Sequence, residues 1–209
     1  MISDSRSVVE LYGEALRYFM GQGSLNDALA HLAADLKEHE IDYVVIGAVA
    51  LFAHGYPRLT EDIDLVLTAE GLNKFHEQLI GLGYAPAFPG ARKRLRSTRD
   101  GVRIDVIASG EYPGDGKPKP VRFPNPLEAS VEIDGVRFAT LEKLIELKLA
   151  SGMTAPDRLK DLADVQEMIK IKNLGGEFAE KLSPYVREKY LELFAAVERG
   201  RNNNIEEQL

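Results

Sequence analysis

The sequence predicts an α+β fold in which helices cover a mixed β-sheet and a helical region follows at the C-terminal end. Short apolar runs, YVVIG at 43–47 and DIDLVL at 62–67, are interleaved with segments of helical periodicity. Asp-Gly pairs at 100–101 and 134–135 indicate two β-hairpins. From residue 140 onward the apolar spacing is helical. Strands interleaved with helices favour a mixed sheet that helices cover.

The elements follow from local patterns along the chain. Helices are predicted where apolar residues recur at three- and four-residue spacing, and strands where β-branched residues run together or alternate. Glycine and proline end these segments, and most of the proline-rich stretch at 109–127 is predicted to be an irregular loop. The predicted helices are 7–20, 25–39, 48–54, 69–82, 140–151, 156–171 and 184–199, and the predicted hairpin strands are 92–98 with 102–107 and VEI with VRFA on either side of Asp134-Gly135.

Three regions of the chain are predicted. Residues 1–40 are interpreted as N-terminal helices packed on the core, 41–140 as the core itself, and 141–209 as a C-terminal helical region. With 209 residues, 44% of them hydrophobic, the chain can bury one sizeable core.

Composition excludes several classes of function. The chain has no cysteine, which rules out disulfides, thiolate metal sites and cysteine nucleophiles. A formal net charge of -7 gives no global attraction to nucleic acid. No apolar run approaches the roughly 20 residues that span a membrane, and the N-terminus lacks a signal-peptide pattern. We expect a cytoplasmic protein without membrane contact.

Two aspartates interrupt an otherwise apolar predicted strand. Asp62 and Asp64 point to the same face because side chains at i and i+2 of a strand do so. Two carboxylates so close repel each other unless a cation neutralises them, and Mg²⁺ or Mn²⁺ prefers such hard oxygen ligands. Asp105 lies in a second apolar strand and could complete a metal-binding triad or act on an acceptor hydroxyl. The alternative is an exposed face for the pair and an ion pair of Asp105 with Arg103 or another arginine.

A glycine turn precedes the aspartates. Gly47 follows a predicted buried strand and opens a helix, where the backbone can approach a phosphate and free N–H groups favour an anion. The alternative is a tight strand-to-helix turn that binds nothing. Together with the carboxylates, the turn predicts an anion site beside a metal site.

These residues resemble a known family. Ile46-Gly47-Ala48, thirteen residues and then Asp62-Ile63-Asp64-Leu65 are similar to the nucleotidyltransferase superfamily signature. The longer string GAVALFAHGYPRLTEDIDL and the segment LKLASGMTAPDRLKDLADVQEM at 147–168 resemble the branch that includes the AbiEii-type toxin nucleotidyltransferases. The resemblance covers about 41–170.

The resemblance implies a polymerase-β-like fold and transfer of a nucleoside monophosphate from a nucleoside triphosphate to RNA, protein or a small molecule. It implies metal binding by Asp62 and Asp64, with Asp105 as base or third ligand. A toxin–antitoxin pair, with an antitoxin partner, is one implied setting. The nucleotide-binding residues that it implies are Gly47, Ala48, Arg58, Thr60 and Lys148.

Ala48 departs from the family pattern, which prefers glycine or serine. Alanine offers only its backbone N–H to a phosphate oxygen, so weaker nucleotide binding is predicted. A nucleotidyltransferase-like module that binds nucleotide or RNA without turnover is therefore the alternative function. A structural protein whose carboxylates only form ion pairs is a third hypothesis, which explains the fewest features.

Other polar residues leave alternatives open. Arg58 could contact the triphosphate or pair with Glu61 or another acid, and Lys148 could reach the phosphates or lie on the surface. His54 is interpreted as a structural residue at a helix end. Asp161 and Asp164, one helical turn apart, could lie at the site or form ion pairs with Arg158 and Lys160, and ion pairing is favoured. The basic run at 92–99 could hold RNA or a triphosphate, or form a solvated hairpin edge, and its members are Arg92, Lys93, Arg94, Arg96 and Arg99.

Overall fold

The structure is a computed structural model that describes residues 23–206, with side chains described as far as residue 201. The helix predicted at 7–20 lies outside the described residues. The helices are α1 Ser24–Glu38, α2 Gly47–Ala53, α3 Ala69–Gln78, α4 Leu141–Thr154, α5 Leu159–Ile171 and α6 Pro184–Glu206, with 3₁₀ turns at Pro156–Arg158 and Gly176–Lys181. The strands are β1 Tyr43–Ile46, β2 Asp62–Leu67, β3 Tyr84–Pro86, β4 Arg94–Ser97, β5 Arg103–Ala108, β6 Ser130–Ile133 and β7 Val136–Ala139.

The described strands form one mixed sheet in the order β3-β4-β5-β2-β1-β7-β6. Strand β2 runs parallel to β5, and β1 runs parallel to β7. The other neighbouring pairs are antiparallel, including the two predicted Asp-Gly hairpins β4–β5 and β6–β7. The predicted α+β fold with a mixed sheet, covering helices and a C-terminal helical region is confirmed.

The sequence pattern of β2 places its two faces in different surroundings. Ile63 and Leu65 are fully buried in the hydrophobic core, whereas Asp62 and Asp64 on the opposite face are only partly buried. The same core takes side chains from α1, the sheet and the C-terminal helices, so these helices cover the sheet. The alternation of β2 therefore presents both carboxylates at one solvent-accessible face.

Strand β3 was not predicted from the sequence. It has three residues and ends in Pro86, and proline is tolerated there because β3 lies at the edge of the sheet. Its first residue, Tyr84, is buried, and the phenol donates a 2.7 Å hydrogen bond to Asp35 of α1. A tertiary contact with a distant helix, absent from any local pattern, thus positions this strand.

Within residues 23–206, none of the helices combines the length and the apolarity that crossing a membrane requires.

Candidate active site

The three predicted carboxylates lie side by side on the sheet. Asp64 of β2 is aligned directly with Asp105 of β5, and parallel neighbouring strands are about 4.8 Å apart. Asp62 lies two residues before Asp64 and shares its face. All three side chains line one cavity of about 650 Å³ between the sheet and α4. The arrangement concentrates negative charge at one point of this cavity.

The charged form of Asp64 is disfavoured at this position. Burial, followed by the nearby charges of Asp62 and Asp105, raises the pKa of its carboxyl from 3.8 to about 6. The negative charges therefore disfavour one another near neutral pH, and a bound cation would relieve this repulsion.

Gly47 makes room for Asp64. Its φ is +69°, and a Cβ atom built on it would lie 1.9 Å from Oδ2 of Asp64. Glycine is thus needed both for the backbone conformation and for the space that the carboxylate occupies. The sequence predicted that a phosphate could approach the backbone at Gly47. It did not predict the contact with Asp64, because that contact depends on the pairing of β1 with β2.

Ala48 and Thr60 also line the cavity. Ala48 is 6% exposed, and its methyl group has no hydrogen-bonding capacity. The hydroxyl of Thr60 donates to Oδ1 of Asp62. Thr60 therefore orients one of the paired carboxylates, and its contact with nucleotide stays a prediction.

Lys148 lies inside a buried ion-pair network. It is 7% exposed, and its Nζ lies 2.9 Å from Oδ1 of Asp161 and 2.7 Å from Oδ2 of Asp164. The alternative of a surface lysine is therefore wrong. Burial acts to raise the pKa of Asp161, but Lys148 and the Ser151 hydroxyl outweigh it and lower that pKa.

Arg58 joins the same network from the other side of the cavity. Its guanidinium lies 2.5 Å from Oδ2 of Asp164, so it pairs with an acid of α5 and connects the segment before β2 to the C-terminal helices. Glu61 instead lies 3.5 Å from Arg103. Asp161 and Asp164 do form ion pairs, but with Lys148 and Arg58 instead of the predicted partners on their own segment.

We expect Lys148→Met to destabilise the fold by about 3–5 kcal/mol, because it leaves the Asp161 and Asp164 carboxylates buried with fewer compensating charges. Urea unfolding at pH 7.5 measures this loss. The matched control is Lys160→Met, at an exposed lysine of α5. A loss for Lys148→Met within about 0.5 kcal/mol of the control would contradict the network's role.

A strap, defined as residues 109–129, closes one side of the cavity. It contains neither helix nor strand, in agreement with the irregular loop predicted for most of it. Its residues Tyr112, Pro113 and Phe123 line the cavity. The Lys119 side chain, 5% exposed, donates to the Pro113 carbonyl at 2.6 Å and to the Thr154 hydroxyl of α4 at 3.0 Å. Sequence reasoning did not assign the strap to the site, since only its tertiary packing against α4 brings it there.

Gly114→Ala is expected to loosen the strap and to cost about 1–3 kcal/mol of stability. A Cβ atom at Gly114 would lie 2.2 Å from Oγ1 of Thr154 and 2.8 Å from the Ser151 carbonyl. Gly116→Ala is the matched control, because its φ of +71° is nearly that of Gly114 (+73°) and its Cβ would meet nothing within 4 Å. Hydrogen exchange of the strap amides should accelerate in the first variant only.

The basic run at 92–99 is divided between structural and cavity positions. Arg99 pairs with Asp35 at 2.8 Å, Arg92 donates to Asn73 at 2.8 Å, and Lys93 pairs with Glu111. Arg94 is exposed, lines the cavity and is aligned with Asp105 on the neighbouring strand.

His54 lies outside the cavity lining. Its Nε2 donates a 2.7 Å hydrogen bond to the Ala139 carbonyl, in agreement with the structural interpretation.

The carboxylates fit a hard divalent cation by their chemistry. Asp62 and Asp64 supply carboxylate oxygens, and Mg²⁺ usually takes one or two such ligands and completes its shell with water and substrate phosphates. Among the described residues, no three histidine, aspartate or glutamate side chains are gathered into a preassembled metal centre. Asp105 therefore lies beside the pair without forming a closed set of ligands with it.

Comparison with solved structures identifies the fold. The antibiotic-resistance factor ANT(2'')-Ia in solution matches 84% of this chain and 96% of its own length, with a TM-score of 0.51 and 18% identity. The chain has the nucleotidyltransferase fold. No family model and no curated protein matches the sequence.

Two further solved structures with the nucleotidyltransferase fold are more distant in shape. ANT(2'')-Ia in complex with adenylyl-2''-tobramycin has a TM-score of 0.48 and 18% identity, and covers 86% of this chain and 98% of its own. An antigenic nucleotidyltransferase-like protein from Paracoccidioides brasiliensis has a TM-score of 0.46 and 18% identity, and covers 70% of this chain and 76% of its own.

Proposed function

We propose that the protein is a nucleotidyltransferase that depends on Mg²⁺ or Mn²⁺ and moves a nucleoside monophosphate from a nucleoside triphosphate to an acceptor hydroxyl. The observation that carries this proposal is the alignment of Asp64 with Asp105 on parallel strands, with Asp62 on the same face, in a cavity beside the Gly47 turn. The nucleotidyltransferase fold supports it.

Asp62 and Asp64 hold the metal in this proposal, and Thr60 orients Asp62 through its hydrogen bond. When bound, the divalent cation neutralises charge on the phosphates. The triphosphate lies along the cavity wall at Gly47 and Ala48, where backbone N–H groups are the donors. Arg58 and Lys148 act through their carboxylate partners and fix the opposite wall, since both are engaged in ion pairs.

Asp105 is the group proposed to act on the acceptor. Its carboxylate accepts the proton of the attacking hydroxyl, whose oxygen forms a bond to the α-phosphorus. The bond between the α-phosphorus and the bridging oxygen then breaks, and pyrophosphate leaves with the electron pair. Arg94, aligned with Asp105 and exposed in the cavity, offers a positive charge where the acceptor enters.

The acceptor classes remain those predicted from the sequence, namely RNA, protein or a small molecule. A toxin–antitoxin setting with an antitoxin partner, which the AbiEii-type resemblance implied, stays a prediction. An acceptor of any of these three classes must reach Asp105 past Arg94 and the strap.

One observation favours the alternative of binding without turnover. Ala48 is buried at the cavity wall and supplies no side-chain donor to a phosphate. In this alternative the nucleotide binds through the carboxylates and backbone, but the phosphates are held too loosely for efficient reaction.

Two measurements distinguish the proposals. Thermal denaturation with each nucleoside triphosphate, with and without Mg²⁺, detects metal-dependent binding, and release of pyrophosphate with RNA, protein and small-molecule acceptors detects turnover. The enzyme proposal requires both signals. A metal-dependent shift without pyrophosphate release supports the binding module. Absence of any shift with every nucleoside triphosphate contradicts both.

A further inference from the structure

A second cavity of about 500 Å³ adjoins the proposed active site. Asp105 and Ile107 of β5 line the first cavity, and Ser109 lines the second. Ser109 directly follows β5, and its N–H continues the pairing with β2 through a 2.8 Å hydrogen bond to the Leu67 carbonyl. Four residues of extended chain place Ser109 about 13 Å from Asp105. The two cavities therefore lie next to each other, along β5 and the residues that directly follow it.

Phe123 of the strap lies between the cavities, since it lines both. Its carbonyl accepts from Gly110 and its N–H donates to the Glu111 carbonyl, each at 2.9 Å. These backbone bonds keep Phe123 fixed against the end of β5. A ligand in the second cavity would thus be separated from a nucleotide in the first by Phe123.

The lining of the second cavity is rich in hydrogen-bond donors. Arg122 is exposed and has no ion-pair partner in the part of the chain that the structure describes. Lys143 lies 2.5 Å from Glu146 and uses one of its three N–H donors there, so two donors remain for a ligand. Glu128 is the acid that lines this cavity.

We propose that the second cavity is an acceptor subsite that binds a phosphate group of the acceptor, with Arg122 and Lys143 as its donors. This inference rests on the proposed function, because it assigns the first cavity to the nucleoside triphosphate. A guanidinium can donate two parallel hydrogen bonds to a phosphate. Two cationic side chains favour such an anion over an uncharged nucleobase. The acceptor accordingly carries a phosphate group in addition to its reacting hydroxyl.

The test uses ligand pairs that differ only by a phosphate. Calorimetric titrations of the full chain with Mg²⁺ compare glucose 6-phosphate with glucose, and 5′-phosphorylated ApA with ApA. We expect at least one phosphorylated ligand to bind about tenfold or more tightly than its partner, as charge-assisted hydrogen bonds predict. Discrimination in the sugar pair indicates a small phosphorylated acceptor, and discrimination in the dinucleotide pair alone indicates an oligonucleotide.

Arg122→Gln should reduce this discrimination to about threefold or less and leave the affinity for nucleoside triphosphate unchanged. Arg199→Gln, at an exposed arginine of α6 outside both cavities, is the matched control and should keep the discrimination. The proposal is overturned if neither pair shows discrimination, or if Arg122→Gln weakens triphosphate binding as much as phosphate binding. If phosphate discrimination holds but no nucleoside triphosphate binds, the proposed function fails and the phosphate site remains.

Discussion

Asp64→Asn is expected to abolish nucleotide transfer and, at the same time, to stabilise the metal-free protein. The change removes one of two proposed metal ligands, which should lower kcat about 1000-fold or more. It also removes a carboxylate that burial and two neighbouring carboxylates disfavour. A rise in its pKa from 3.8 to about 6 corresponds to at most about 3 kcal/mol, so we expect a gain of about 1–3 kcal/mol in the free energy of unfolding at pH 7.5.

The sign of the pH dependence follows from the raised pKa. Above about pH 6 the folded protein carries an Asp64 charge that it disfavours relative to the unfolded chain, and this destabilisation is fully present. As pH falls from 6 toward 3.8, the folded state takes up the proton first, so the destabilisation from this group is lost. Urea unfolding between pH 7.5 and 5 should show a smaller pH dependence in Asp64→Asn than in the wild-type protein, and metal affinity of the wild-type protein should fall below pH 6.

Asp157→Asn is the control for these measurements. Asp157 is exposed, lies in the 3₁₀ turn before α5 and is outside the cavity lining. It should change neither stability nor turnover appreciably. A loss of stability in Asp64→Asn would contradict the repulsion between Asp64 and the two neighbouring carboxylates. Retained metal-dependent turnover would contradict the assignment of Asp64 as a metal ligand.

Gly47→Ala should impair both folding and activity. A non-glycine residue at a φ of +69° costs about 1–2 kcal/mol, and the new Cβ would lie 1.9 Å from Oδ2 of Asp64. The Asp64 carboxylate must therefore leave its position beside Asp105. We expect a stability loss of about 2 kcal/mol or more together with loss of turnover, measured by urea unfolding and pyrophosphate release.

Gly55→Ala separates backbone strain from the contact with Asp64. Gly55 has a φ of +94°, and a Cβ atom there would meet nothing within 4 Å. This control should lose stability through strain alone and keep its activity. In addition, Asp64→Ala should relieve part of the cost of Gly47→Ala, so the effects of the two changes on the free energy of unfolding should not add. Additive effects would show that Gly47 does not serve to accommodate Asp64.

Local patterns were enough to predict most elements of the fold. The two Asp-Gly hairpins and the helix that begins at Gly47 were predicted because turn chemistry and apolar periodicity act over a few residues. Strand β3 was missed because its three residues carry no periodic signal and it depends on Tyr84 and its hydrogen bond to Asp35. The strap was predicted as a loop, but its closure over the cavity depends on Lys119 and Gly114 packing against α4.

By itself, the sequence determined that Asp62 and Asp64 share one face, because the two-residue period of a strand is a local property. It also identified Asp105 as an aspartate in an apolar strand. Only the tertiary structure decided that Asp105 lies beside Asp64, since this depends on parallel pairing between strands about forty residues apart. The same holds for Gly47 against Asp64 and for Lys148 against Asp164, where packing between distant segments selects the partners.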